Sequence, residues 1–155
     1  MGHFEVRLTA PLAATVAYDR VLDLDAHTAT IPFTTVRVLP GPGPLSTGTR
    51  FVARTALGPI GIDDSMIVEE FTRPTGDRAG VCRIRKTGRW VLGAIELSVE
   101  AAGPPADRQA ATVRWSQDIA IRGLSRVADP LVTLIASHAY RLVLRRLLAT
   151  ARRHG

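Results

Sequence analysis

The sequence predicts an α+β fold: a curved antiparallel sheet of seven strands wrapped round one long C-terminal helix, with two short helices after the first strand. Three observations predict it. Seven segments alternate apolar and polar residues with period two, as half-buried strands do. Hairpin-length links join most of them, which favours antiparallel pairing. The last run, Asp129 to Arg153, carries apolar residues at three- and four-residue steps, the spacing of a helix.

The elements follow in chain order. Phe4, Val6 and Leu8 alternate with Glu5, Arg7 and Thr9 in a first strand that Pro11 ends. Leu12 to Leu24 has helical spacing, and Ala26 to Thr30 forms a second short helix before Pro32. Thr34, Val36 and Val38 alternate with Arg37, and the GPGP stretch at 41–44 is a loop. Gly48 opens a strand with Phe51, Ala53, Thr55 and Leu57 on one face. Gly58-Pro59 turns the chain into a strand whose inward set is Ile62, Asp64, Met66 and Val68. Its phase slips near Glu70-Phe71, the mark of a bulge.

Cys82, Ile84 and Lys86 then share a face. So do Val91, Gly93, Ile95, Leu97 and Val99, and, past the 101–109 loop, Val113, Trp115, Gln117, Ile119 and Ile121. Asp129 is placed to cap the last helix, with Pro130 at its first position. That helix would be roughly 36 Å long at about 1.5 Å per residue. It has two stripes. Leu131, Leu134, Ile135, His138, Leu142 and Ala149 form one, and Val132, Ala136, Ala139, Val143 and Leu147 the other beside it; a face that broad belongs against a partner wider than one helix, the sheet.

With 155 residues the chain is long enough for one domain, 1–155, with a substantial core. No apolar run reaches the length of a membrane span, so stable membrane insertion is not expected. The N-terminus alternates like a strand and lacks the order of a secretory signal, which favours a cytoplasmic location. One cysteine, Cys82, rules out an internal disulfide and a multi-cysteine metal site. The net charge is +6, yet Lys86 is the only lysine and the arginines are scattered, so no nucleic-acid partner is expected. Arg141, Arg145, Arg146, Arg152 and Arg153 crowd the end of the last helix, where cations complement its dipole. They leave open an interaction module that uses this basic end. A homodimer is also open.

Polar residues at inward positions are the informative feature: Asp64, Lys86, Gln117 and His138, with His27 at the corner of the two short helices. Burying an isolated charge is costly, so Asp64 and Lys86 must be paired or hydrated. Two readings stand for them: a structural pair, or a polar patch that orients a ligand. In the second, Lys86 or His138 polarises a carbonyl while Asp64 or His27 moves a proton. No HExxH, CxxC or clustered carboxylates occur, so no metal is expected. Asp63 and Asp64 face opposite sides of a strand and cannot act as a dyad. Ser46, Ser65 and Ser116 lack a nucleophile-elbow context, and GPGPLSTG and LGPIGI open no helix for phosphate.

The order of elements resembles the START-like helix-grip superfamily, also called SRPBCC or polyketide cyclase/dehydrase-like. So do the strings DLDAHTATIPFTTV, GTRFVARTALGPIGIDDSM, KTGRWVLGAIELSV and TVRWSQDI. The resemblance covers nearly the whole chain. It implies a helix-grip fold and a small hydrophobic ligand (lipid-, polyketide- or aromatic-like) held between sheet and C-terminal helix, without cofactor. The lining would be Phe51, Ala53, Asp64, Met66, Cys82, Lys86, Ile95, Trp115, Gln117, Ile135 and His138. Small residues there, Ala53, Gly93 and Cys82, would leave room for it. The alternative is a cyclase/aromatase-type enzyme drawing acid-base groups from His27, Asp64, Lys86 and His138.

Overall fold

The computed structural model describes residues 1–103, 109–124 and 128–151. Alternating sequence produces seven strands: β1 (Gly2–Ala10), β2 (Thr34–Leu39), β3 (Arg50–Leu57), β4 (Ile60–Thr72), β5 (Gly80–Thr87), β6 (Val91–Ala102) and β7 (Ala110–Ile121). All pair antiparallel in one sheet of order β1-β7-β6-β5-β4-β3-β2. The β4–β5 register shifts between Val68 and Glu70, where the sequence phase slips. The result is the α+β helix-grip architecture expected from the sequence.

Two short helices, α1 (Ala14–Val21) and α2 (Leu24–Thr30), follow β1. α1 buries Ala17, Tyr18 and Val21, and the Tyr18 hydroxyl donates to the Val81 carbonyl at 3.0 Å. α2 starts two residues before the alternation suggests. Asp23 accepts from the Ala26 backbone N–H at 2.9 Å and so caps it. The Thr28 hydroxyl takes the Val36 N–H at 2.8 Å, which ties α2 to β2.

The long helix, α3 (Asp129–Ala151), runs along β1 and α1. Asp129 is its first helical residue rather than a cap outside it, and its carboxylate takes the Met1 ammonium at 2.9 Å. Arg20 Nε donates to the Leu147 carbonyl at 3.1 Å and fastens the far end to α1. Only part of the broad apolar face expected of α3 meets the sheet. Tyr140, Leu144, Leu147 and Leu148 pack inward, with Ala136 beside them. Leu131 (61% exposed), Leu134 (68%), Ile135 (61%) and Leu142 (43%) point to solvent. Leu131 lies about two and a half turns from Tyr140, hence on the opposite side of the helix. Two apolar stripes of similar strength do not say which one meets the sheet; packing of the Tyr140 ring decides it.

The convex face of the sheet carries the expected outward arginines, and four of them are matched to acids across neighbouring strands. Arg54 pairs with Asp63, Arg83 with Glu70 and Glu96, Arg85 with Glu69, and Arg114 with Glu5. Such exposed pairs add little stability. They do neutralise this face locally, strand by strand. Among the described residues no helix is long and apolar enough to cross a membrane.

Candidate functional site

Strand alternation brings Phe51, Ala53, Asp64, Met66, Ile84, Lys86, Ile95, Trp115 and Gln117 onto the concave face. Register sets their neighbours: Phe51 opposite Met66, Ala53 opposite Asp64, Met66 opposite Lys86, and Ile95 between Ile84 and Gln117. Tyr140 of α3 closes the roof. Its ring stacks on Trp115, with centroids 5.0 Å apart and planes 24° apart, and also meets Phe4 at 5.9 Å. Trp115 Nε1 donates to Gln117 Oε1 at 3.1 Å, which satisfies both buried polar groups.

Beneath this roof lies a cavity of about 50 Å³, walled by Phe51, Ala53, Met66, Ile84, Ile95, Trp115 and Tyr140 from sheet and helix. Val21, Leu22, Leu24, His27, Ile31, Val36 and Leu45 complete it from the α1–α2 side. That volume suits one or two waters, whereas drug-sized ligands occupy roughly 300–1,000 Å³. The expected roomy interior is therefore nearly filled in this conformation. Across a wall formed by Leu22, Leu24, Val36 and Leu45 lies a surface groove of about 610 Å³. It runs between α2, β2 and the Gly/Pro loop, with Asp23, Asp25 and Arg37 at its polar edges.

Asp64 and Lys86 form an ion pair beside this cavity rather than in its wall. The Lys86 ammonium donates to Asp64 Oδ2 and reaches Met66 Sδ at 3.9 Å. The second oxygen, Asp64 Oδ1, is buried with no hydrogen-bond partner among the described residues. Burial pushes the Asp64 carboxyl above the usual carboxylate range, and the adjacent Lys86 charge only partly offsets it. The Tyr140 hydroxyl is pushed up to about 12, chiefly by burial and secondly by the Asp64 carboxylate. The aromatic roof and the ion pair are thus electrostatic neighbours.

The remaining candidates fall elsewhere. His27 lines the cavity, but its Nε2–H donates to the Val21 carbonyl at 2.6 Å and locks α2 onto the end of α1. Burial holds its pKa below the usual histidine value. An expected outcome follows from the linkage. The unfolded chain binds a proton at His27 more readily than the folded one, so stability falls as pH drops from about 6.5, the unfolded value, toward the lower folded value. The slope from one such group is at most about 1.4 kcal/mol per pH unit. Urea melts between pH 7 and pH 5 will show that loss, and His27→Gln will flatten it.

His138 and Ile135 belong to the outward face of α3 and do not reach the cavity. Their placement corrects the expectation that the stripe containing them faces the sheet. Cys82 is also absent from the cavity wall. It is fully buried, and burial, with Glu70 adding to it, pushes its thiol up to about 12. Gly93 leaves no room for a ligand: a Cβ there would lie 2.0 Å from the Asp118 carbonyl oxygen, and its φ of 134° is one that residues with side chains rarely adopt. Its smallness serves the close approach of β7. Arg152, Arg153 and His154 lie outside the described residues.

Sequence reasoning did not select Tyr140 or Leu45. The signal for Tyr140 was its place on one helix face with Ala136, Leu144 and Leu147. Leu45, one apolar residue in a run of glycines and prolines, was the signal for a loop that folds back onto the core.

No protein-family model and no curated protein matches the chain in sequence. Solved structures match it in shape over nearly its full length. A START superfamily protein from Mycobacterium smegmatis covers 100% of both chains at 12% identity, with a TM-score of 0.70. A Thermus thermophilus protein covers 99% of both at 11% identity and 0.73. A Streptomyces aromatase/cyclase covers 97% of this chain and 93% of its own at 14% identity and 0.67. At these identities the likeness shows the fold, which is START-like.

Proposed function

We propose that residues 1–155, with their START-like helix-grip fold, act as one unit that binds a small apolar molecule between sheet and α3. The observation that carries this reading is the pairing of a small apolar cavity with a large groove across a wall one side chain thick. Leu45 is the movable part of that wall. Prolines 40, 42 and 44 have no N–H to donate, and the loop from Pro40 to Leu45 makes no backbone hydrogen bond to another described residue. Segments held so loosely open at low cost. Outward movement of Leu45 would join groove and cavity into a space of ligand size.

The walls favour a planar, mostly apolar ligand that stacks beside Trp115 and Tyr140. A hydroxyl or amine reaching past Met66 would give Asp64 Oδ1 the donor it lacks. Binding is preferred to cyclase-type catalysis because His27 is engaged with backbone and His138 faces solvent. Of the four acid-base candidates only His27 lines the cavity, and Asp64 and Lys86 beside it are committed to each other.

The test uses a Trp90→Phe variant, which leaves Trp115 as the sole tryptophan. Titration with the neutral probe N-phenyl-1-naphthylamine is expected to give saturable one-to-one binding with quenching of Trp115. Ala53→Phe, which fills the cavity, should weaken it by at least about tenfold, that is about 1.4 kcal/mol. Absence of saturable binding, or binding indifferent to Ala53→Phe in a folded protein, would sink the reading.

A further inference from the structure

The outward face of α3 is apolar where a solvent face should be polar. Leu131, Leu134, Ile135 and Leu142 are all exposed on it, and helices apolar on both sides normally have partners on both. What covers it can be read from charge. After Asp129 the chain contains no acidic residue, while Arg141, Arg145 and Arg146 flank the stripe. Arg141, Arg145 and Arg146 have no carboxylate partner among the described residues, whereas Arg54, Arg83, Arg85 and Arg114 on the sheet do.

The sheet end from which α3 starts has the same character. Gly2 of β1, opposite Ile119, sits against Thr133 of α3. Ile121 and Leu124 are exposed there, and so is Trp90, with the Arg89 guanidinium over its ring at 5.9 Å and its carbonyl bonded to the Arg122 N–H. Exposed aliphatic side chains beside unpaired arginines and a tryptophan are what an interfacial helix presents to a lipid headgroup layer. A second copy fits less well, because each stripe would bring only positive charge to the other.

We propose that the outer face of α3 docks on an anionic membrane surface, lying on it without crossing it. The interaction uses the face opposite the cavity and is independent of the ligand reading above. In flotation assays the full chain is expected to bind vesicles of phosphatidylcholine plus phosphatidylglycerol, to ignore phosphatidylcholine alone, and to release as salt rises. Leu134→Ser/Ile135→Ser should lower binding by at least about tenfold. Arg141→Gln/Arg145→Gln/Arg146→Gln should remove the preference for the anionic lipid. Both variants change exposed or half-exposed side chains, and circular dichroism will verify their folding. The proposal is overturned by no binding to the anionic vesicles at low salt, by equal binding to both vesicles, or by binding that Leu134→Ser/Ile135→Ser leaves intact. It is equally overturned if sedimentation shows a dimer that this double variant dissociates, since a second copy then occupies the face.

Discussion

Replacing Asp64 with Leu will destabilise the fold by about 3–5 kcal/mol, because it strands the Lys86 ammonium in the interior. Lys86 is 6% exposed as a residue, and its charge has only the Asp64 carboxylate and the Met66 sulfur near it. The reverse change, Lys86→Met, will cost less, about 1–3 kcal/mol. Asp64 is closer to solvent, and burial already raises its pKa, so a carboxyl without its partner can take up a proton and become neutral. The double variant Asp64→Leu/Lys86→Met should recover to within about 1 kcal/mol of the parent, since two apolar groups of similar size need no pairing. Urea denaturation of the three variants reads this out. Additive costs in the double variant would mean that the two charges are not coupled.

Trp115→Ala will cost about 3–5 kcal/mol, the usual range for removing a large buried aromatic side chain. The change removes the platform for Tyr140, leaves Gln117 Oε1 without its donor, and enlarges the cavity against α3. Enlarged apolar cavities bind small aromatic molecules. Indole should therefore raise the melting temperature of Trp115→Ala more than that of the parent. A cost below about 1 kcal/mol, or equal indole effects on both proteins, would place Trp115 outside the structural core.

Much of the architecture is legible in the residues. Period-two alternation identifies seven strands and most of their inward residues, because a sheet with one face on the core enforces that pattern, although Leu57, Ile62 and Ile121 toward the strand ends are exposed. The slip at Glu70 is the bulge, and Asp64 and Lys86 on one face are the pair. The orientation of α3 is not legible. Its Leu131–Leu142 stripe and its Ala136–Leu147 side are both apolar, and periodicity measures the presence of a face, not its partner. Periodicity alone therefore places His138 and Ile135 among the ligand contacts, whereas both are exposed. Cavity size is likewise a property of packing: small residues such as Cys82 and Gly93 can mark closely packed backbone as well as free space. Tyr140, which fills the expected hollow, shows no local sequence sign that its ring would meet Trp115.

The most direct check on the ligand reading is methyl NMR of the parent chain during titration with N-phenyl-1-naphthylamine. Movement of Leu45 to join groove and cavity predicts shifts at Leu45, Met66 and Ile95 together, with Leu134 and Ile135 unmoved. Shifts confined to the outer groove at Val38 and Leu39, or to the α3 face, would contradict it.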